Sequence, residues 1–323
     1  MKLRSYGSLF AGVGGIDLGL DSVNLECLFQ VEIDKNCQET LSYHWPNVPR
    51  YADIKDVSGY DLPFVDIITF GSPCQDLSVA GKRAGLDGER SGLFYEATRI
   101  IKEMREKSNG QYPKWSIWEN VTGALSSNGG ADFGEVLYEM DEAGACFSEW
   151  AVLDAQHFGV PQQRRRVFLL SCFDPATAGR CPNQILPVKE SLPGSSKKSR
   201  KEEYSSDIAN CLRSGGSGGL PSSRGENLVV QRTTAQVVGT INARDFKGVG
   251  NQYVQEHKLI IEDASIVRRL TPLECERLMG WPDNHTLNRA DGKINSDSTR
   301  YKMCGNGVAS PVIKWVAQQI INI

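Results

Sequence analysis

Hydrophobic positions in the first 170 residues fall into two alternating patterns. Short apolar runs at 5–10, 27–32, 65–70, 115–119, 148–153 and 167–172 have the length of buried strands. Between them, 35–43, 93–107 and 132–143 space their apolar residues as helices do. Such alternation predicts an α/β fold: a parallel sheet with crossover helices on both faces. From 173 to 260 the pattern breaks. Gly, Ser and Pro become dense, as in Gly215-Gly216-Ser217-Gly218-Gly219, and the apolar runs shorten. Regular patterning returns near Ile266. Thr271-Pro272-Leu273-Glu274 predicts a helix start, with Thr as the cap, Pro in first position and Glu completing a capping box. After Ser310-Pro311, the residues Val312, Val316, Ala317 and Ile320 share one helical face. A chain that leaves its sheet and returns is expected to build one domain from 1–172 and 265–323. The segment 173–264 would be a small, loop-rich, mostly β insertion.

Composition narrows the class. With 323 residues, 40% hydrophobic and 23% charged, the chain is ordinary globular material, and wholesale disorder and fibrous architectures are excluded. No run approaches the roughly 18 apolar residues of a membrane span. Lys2 and Arg4 precede the apolar run 9–13, but that run passes into Gly14-Gly15 and Asp17 rather than the core of a signal peptide. Nine cysteines without a Cys-x-x-Cys pair argue against a disulfide framework and a zinc finger. A soluble cytoplasmic protein without a metal site is expected. The net charge of −3 is uneven: residues 155–260 hold fifteen basic and eight acidic residues, leaving the remainder at −10. A basic excursion on an acidic body is the electrostatic pattern of a polyanion-binding surface.

Candidate chemistry sits at predicted strand ends. Phe10-Ala11-Gly12-Val13-Gly14-Gly15 follows the first strand and opens a helix, where glycines allow close backbone approach to a ligand. Glu32, about twenty residues on, ends the second strand where a carboxylate meets ribose hydroxyls, and Asp53-Ile54 comes next along the rim. These residues favour an adenosine-type cofactor without separating NAD from S-adenosylmethionine. Gly71-Ser72-Pro73-Cys74-Gln75 places Cys74 on a loop at a strand's carboxyl end, as a nucleophile requires. Trp118-Glu119-Asn120-Val121 puts a carboxylate in the equivalent place on another strand. In Gln162-Gln163-Arg164-Arg165-Arg166 an extended backbone would point Arg164 and Arg166 the same way, suiting a phosphate or an oxyanion.

Taken in order, these four motifs resemble those of the DNA (cytosine-5)-methyltransferase family. Arg269-Leu270-Thr271-Pro272-Leu273-Glu274-Cys275 with Met279-Gly280-Trp281-Pro282 is similar to the family's ninth motif, and Gly305-Asn306-Gly307-Val308 to its tenth. The resemblance covers roughly 5–172 and 265–320. It implies a Rossmann-like methyltransferase sheet that binds S-adenosylmethionine and releases S-adenosylhomocysteine. Phe10, Gly12, Gly14 and Gly15 would line the cofactor site, Glu32 would hold the ribose, and Asp53 and Ile54 would lie at the adenine. Pro73, Leu93 and Asn306 would contact the methionine part. Cys74 would be the nucleophile and Glu119 would bind the cytosine edge, while Arg164 and Arg166 match the Gln-x-Arg-x-Arg pattern that begins at Gln162. The basic excursion would be the target-recognition domain, with Thr240-Ile241 resembling a dipeptide found there.

The resemblance implies methyl transfer to carbon 5 of a cytosine flipped out of double-stranded DNA, through a covalent Cys74 adduct. The expected partners are DNA and a cognate restriction endonuclease, and the expected state is a monomer. Ser8 departs from the family, many members carrying an acidic residue there. Two alternatives remain: a tRNA-directed enzyme, against which the absence of a Cys-Phe-Thr stretch speaks, and an inactive DNA-binding relative, against which Cys74 and Glu119 speak.

Overall fold

The computed structural model describes residues 3–72, 92–182, 184–186, 240–241, 259–263 and 266–323. Seven strands form the main sheet: β1 (Ser5–Leu9), β2 (Glu26–Val31), β3 (Arg50–Tyr51), β4 (Ile67–Phe70), β5 (Trp115–Val121), β6 (Phe147–Asp154) and β7 (Arg165–Cys172). Their order is β3-β2-β1-β4-β5-β7-β6. The first five pair in parallel, as the alternation predicts. β7 differs, running antiparallel to both β5 and β6. The cause is local: β6 is followed only by the short turn Ala155–His157, too little chain for a crossover helix.

Helices cover both faces. α3 (Gly92–Lys107) and α4 (Ala131–Glu142) bury Phe94, Ile100, Met104, Phe133 and Val136 against Phe70 and Trp118. On the other face, α1 (Gly15–Asp21) and the last helix pack Ile16 and Leu20 with Val312, Ile313 and Val316 against Tyr6, Ile117 and Leu170. α2 (Lys35–His44) is capped by Asp34, whose carboxylate accepts from the Asn36 and Cys37 N–H groups. Past β7 comes the single turn α5 (Pro175–Ala178); Phe173, Ile185 and Leu186 are still buried in the two cores.

The hairpin β8 (Leu259–Asp263) and β9 (Ile266–Arg269) leads into α6 (Pro272–Leu278), α7 (Asp297–Asn306) and α8 (Ser310–Ile321). The capping box is present: Thr271 Oγ1 accepts from Glu274 N–H, and the Glu274 carboxylate accepts from Thr271 N–H at 2.7 Å. No described helix is long and apolar enough to cross a membrane.

Strand order reverses between β1 and β4. In open α/β sheets the crevice outside the strand ends at such a reversal is where ligands bind. The glycine turn after β1 and the Gly71-Ser72 loop after β4 both open there.

Candidate functional site

β1 ends because Phe10 adopts a left-handed backbone, φ 55°. The turn that follows needs glycine for two different reasons. A Cβ on Gly14 would lie 2.4 Å from the Trp45 ring, and one on Gly15 would lie 2.6 Å from the Val308 carbonyl, so these two allow α1 to pack closely. Gly12, φ 58°, faces open space with nothing within 4 Å of such a Cβ. That space is a cradle beside backbone. Glu32 borders it, its Oε2 accepting from Gly12 N–H and its Oε1 from Asp34 N–H, both at 2.8 Å. Burial raises the Glu32 pKa against those two hydrogen bonds. Ile33, next in chain, is 68% exposed at the same rim. The sequence reading passed over it; its signal was an apolar residue directly after a strand-ending carboxylate.

The other expected cofactor residues are distributed unevenly. Asp53 caps the turn Ile54–Asp56, accepting from Lys55 N–H. Ile54 turns its side chain into the core, and Arg99 Nη2 donates to its carbonyl. Leu93 is half-buried in the first turn of α3, and Asn306 is exposed at the end of α7. α7 is tied to this rim by Lys302, whose Nζ lies 2.7 Å from Asp34 Oδ2. Pro73 and Cys74 lie outside the described residues.

Ser8 has a structural counterpart. Its hydroxyl donates to Asp17 Oδ2 at 3.1 Å, and Gln30 Nε2 donates to Asp17 Oδ1 at 2.8 Å. The carboxylate missing from position 8 is thus supplied by α1, fully buried behind the glycine turn. Burial pushes its pKa up to about 6.

Glu119 lies near the carboxyl end of β5, 8% exposed. Burial raises its pKa, while the positive charges of Arg166 and Arg164 pull it down. Arg166 Nε lies 3.1 Å from Glu119 Oε1. The antiparallel course of β7 is what brings Arg166 there, pairing it with Val121 at the same rim. Gly71 leaves room for the carboxylate, since a Cβ there would lie 3.3 Å from Glu119 Oε2. Ser72 is held from both sides of Glu119: Trp118 Nε1 donates to its hydroxyl and Asn120 Nδ2 to its carbonyl. Gly71 and Ser72, the last described residues before Cys74, therefore lie beside the Glu119 carboxylate.

The two arginines divide. Arg164 is 3% exposed and donates to the carbonyls of Ile241 (3.1 Å), Gly305 (3.0 Å) and Gly307 (2.6 Å). Their direct partners differ, Arg166 pairing with the Glu119 carboxylate and Arg164 donating to three carbonyls, while the charges of both act on Glu119. Gln162, fully buried, donates to the Leu278 carbonyl, and Thr240 to that of Gln163. The 162–166 segment fastens distant parts of the chain around the site. Among the described residues no cluster of His, Cys, Asp and Glu could hold a metal ion.

Known proteins resemble this chain along nearly its whole length. The family model "C-5 cytosine-specific DNA methylase" matches residues 5–322. The chain is 29% identical over 333 residues to the type II methyltransferase M.HhaI of Haemophilus parahaemolyticus, covering 97% of this chain and 92% of that protein. It is also 29% identical over 325 residues to M.Bsp6I of Bacillus sp. (strain RFL6), covering 97% of each. In fold it is similar to the S. pombe Dnmt2 methyltransferase, with a TM-score of 0.65 at 16% identity over 99% of this chain and 98% of that one. With the match running from the first strand to the last helix, the chain belongs to the C-5 cytosine-specific DNA methylase family, methyltransferases whose methyl donor is S-adenosylmethionine.

Proposed function

We propose that this enzyme is a DNA (cytosine-5-)-methyltransferase that modifies a specific sequence in double-stranded DNA, with Cys74 as nucleophile and Glu119 as acid. The observation that supports the reading best is the buried Glu119–Arg166 pair beside Gly71, three residues before Cys74 in the chain. The open cradle at Gly12, the Glu32 carboxylate beside it and the exposed Ile33 suit the nucleoside part of S-adenosylmethionine. Phe10, Gly14, Gly15, Asp53, Ile54, Pro73, Leu93 and Asn306 complete the proposed cofactor set, Ile54 through its backbone.

Cytosine carbon 5 is a poor nucleophile until the ring's aromaticity is interrupted. Addition of the Cys74 thiolate to carbon 6 makes carbon 5 part of an enamine. Charge then gathers toward ring nitrogen 3, where Glu119, whose pKa burial raises, enters as the acid and donates a proton. Arg166, 3.1 Å from Glu119 Oε1, stabilises the carboxylate once that proton has left. When bound, S-adenosylmethionine supplies an electrophilic methyl group to carbon 5. Loss of the carbon 5 proton, expulsion of the Cys74 thiolate and return of the nitrogen 3 proton to Glu119 restore the neutral aromatic ring. A base inside a duplex cannot reach these groups, so the target must be extruded, at a cost of a few kcal/mol. Residues 173–264, apart from those up to Leu186 that pack in the core, would form the target-recognition domain. A monomer working in the cytoplasm beside a restriction endonuclease fits the type II relatives.

Duplex DNA with 5-fluorocytosine at the target tests the assignment. Fluorine cannot leave as a cation, so with S-adenosylmethionine the reaction should stop as an SDS-resistant complex. Cys74→Ser should abolish the complex, a hydroxyl being a far weaker nucleophile than a thiolate. Persistence of the complex in that variant would place the nucleophile elsewhere. Methyl incorporation into tRNA in preference to duplex DNA would favour the RNA-directed alternative.

A further inference from the structure

A histidine more than 270 residues along the chain reaches the glycine turn. His285 follows α6 in a short turn, its N–H donating to the Pro282 carbonyl. Its ring is 1% exposed, and Nε2 lies 2.6 Å from the carbonyl oxygen of Val13. The ring stacks on His44 at 4.1 Å between centroids, and the His285 carbonyl accepts from His44 Nε2 at 2.7 Å. Trp281 and Trp45 close the pocket at 5.5 and 6.1 Å.

The chemistry fixes the tautomer. A carbonyl oxygen can only accept, so Nε2 carries the proton. Nδ1 is buried with no hydrogen-bond partner among the described residues. Burial, with His44 beside it, lowers the pKa of His285 to about 4, which keeps the ring neutral at working pH.

The acceptor's position matters more than its strength. The Val13 carbonyl and the Gly14 N–H belong to one peptide unit, and that N–H donates to the Ala11 carbonyl at 2.9 Å. One plane in the turn is therefore held at both ends. It links Val13 to Gly14, and with Gly12 and Gly14 both left-handed the backbone there has unusual freedom to reorient. We propose that His285 is a positioning residue for the methyl-donor turn: by holding the Val13 carbonyl it keeps residues 10–15 in the conformation that receives S-adenosylmethionine. This rests on the reading of that turn as the cofactor site. His285 touches neither the cradle at Gly12 nor Glu119; it acts through the peptide plane. Ordering the turn beforehand removes an entropic cost from cofactor binding, so the effect belongs in affinity and not in the chemical step.

The test compares His285→Leu, His285→Gln and Glu32→Ala by calorimetric titration with S-adenosylmethionine and by steady-state methylation of duplex DNA. His285→Leu should raise the cofactor Kd and KM about tenfold, as expected for one well-aligned hydrogen bond, with kcat at saturating cofactor nearly unchanged. His285→Gln has an amide nitrogen at the reach of Nε2 but loses the ring stacking, and should return Kd close to the wild-type value. Equal weakening in His285→Leu and His285→Gln would overturn the proposal, because the ring's packing would then be what matters. Wild-type affinity in His285→Leu beside weakened Glu32→Ala would overturn it too, leaving the cofactor site standing. Wild-type affinity in both would remove the site and the proposal together. Should His285→Leu not fold, His285→Asn takes its place: its amide is too short to reach Val13, so it should bind weakly where His285→Gln does not. Equal affinity of those two would likewise overturn the proposal.

Discussion

Replacing Glu119 with Gln removes a charge while keeping the side chain's length, and the geometry sets the cost. Oε1 lies 3.1 Å from Arg166 Nε, with side-chain exposures of 11% and 15%. Unit charges at that separation attract by about 5 kcal/mol at an effective dielectric of about 20. Desolvation of both groups consumes much of this, leaving about 1.5–3 kcal/mol as for other charged hydrogen bonds. A double-mutant cycle of Glu119→Gln with Arg166→Gln, read by denaturant unfolding, should return a coupling of about that size. Catalysis should suffer more, since an amide can donate a hydrogen bond to ring nitrogen 3 but cannot deliver a proton. The expected loss is about 10²–10⁴-fold. Single-turnover transfer of tritiated methyl groups at saturating cofactor measures it. The sign of the pH dependence adds a check. Burial raises the Glu119 pKa, and the active form is protonated, so the wild-type rate should fall as pH rises through that raised value. Arg166→Gln removes a group that lowers the pKa, so it should move this limb to higher pH; Glu119→Gln should abolish it. Transfer by Glu119→Gln within about threefold of wild type would refute the acid assignment, as would a downward shift of the limb in Arg166→Gln.

Two glycines of one turn should answer differently to alanine. Gly14→Ala puts a Cβ 2.4 Å from the Trp45 ring at φ 82° and should lower stability by about 2–4 kcal/mol, read as a fall in Tm. Gly12→Ala meets nothing within 4 Å, so it should cost only the backbone strain of about 1–2 kcal/mol, with its larger effect on cofactor affinity. Asp17 has its pKa raised to about 6 in the fold, so the native state holds the proton more tightly than the unfolded chain. Its contribution is fully present below about pH 4 and is lost as pH rises through about 6; Asp17→Asn should flatten that slope in urea unfolding series. Exchanging residues 187–264 for a relative's segment should change which cytosines are methylated while keeping turnover, as bisulfite sequencing would read; an active chimaera with the original site preference would refute the target-recognition assignment.

What could be read from the chain alone was local. Strand ends, the glycine turn and the Thr271 capping box each depend on residues within a few positions, and the structure has them within a residue or two of the expected places. Pairing between distant segments was a different matter. β5 and β7 are nearly continuous apolar runs, buried along most of their lengths, and such a run carries no mark of direction. The antiparallel course of β7 was therefore invisible, and with it the contact between Arg166 and Glu119. The same blindness explains Arg164. Alternation in an extended segment predicts which way a side chain starts out, but not what waits for it. Here three carbonyls at 241, 305 and 307 compete for the guanidinium. Buried carbonyls left without donors are costly, so an arginine that satisfies three of them can be required by the fold whatever it does for a substrate. Motif identity at Arg164 thus cannot by itself separate a base contact from a structural clamp. Ser8 makes the converse point, because a position without the carboxylate many members carry has one beside it from Asp17, nine residues on in α1. In this chain the chemistry is written at strand ends, while the contacts that hold those ends together are written across hundreds of residues.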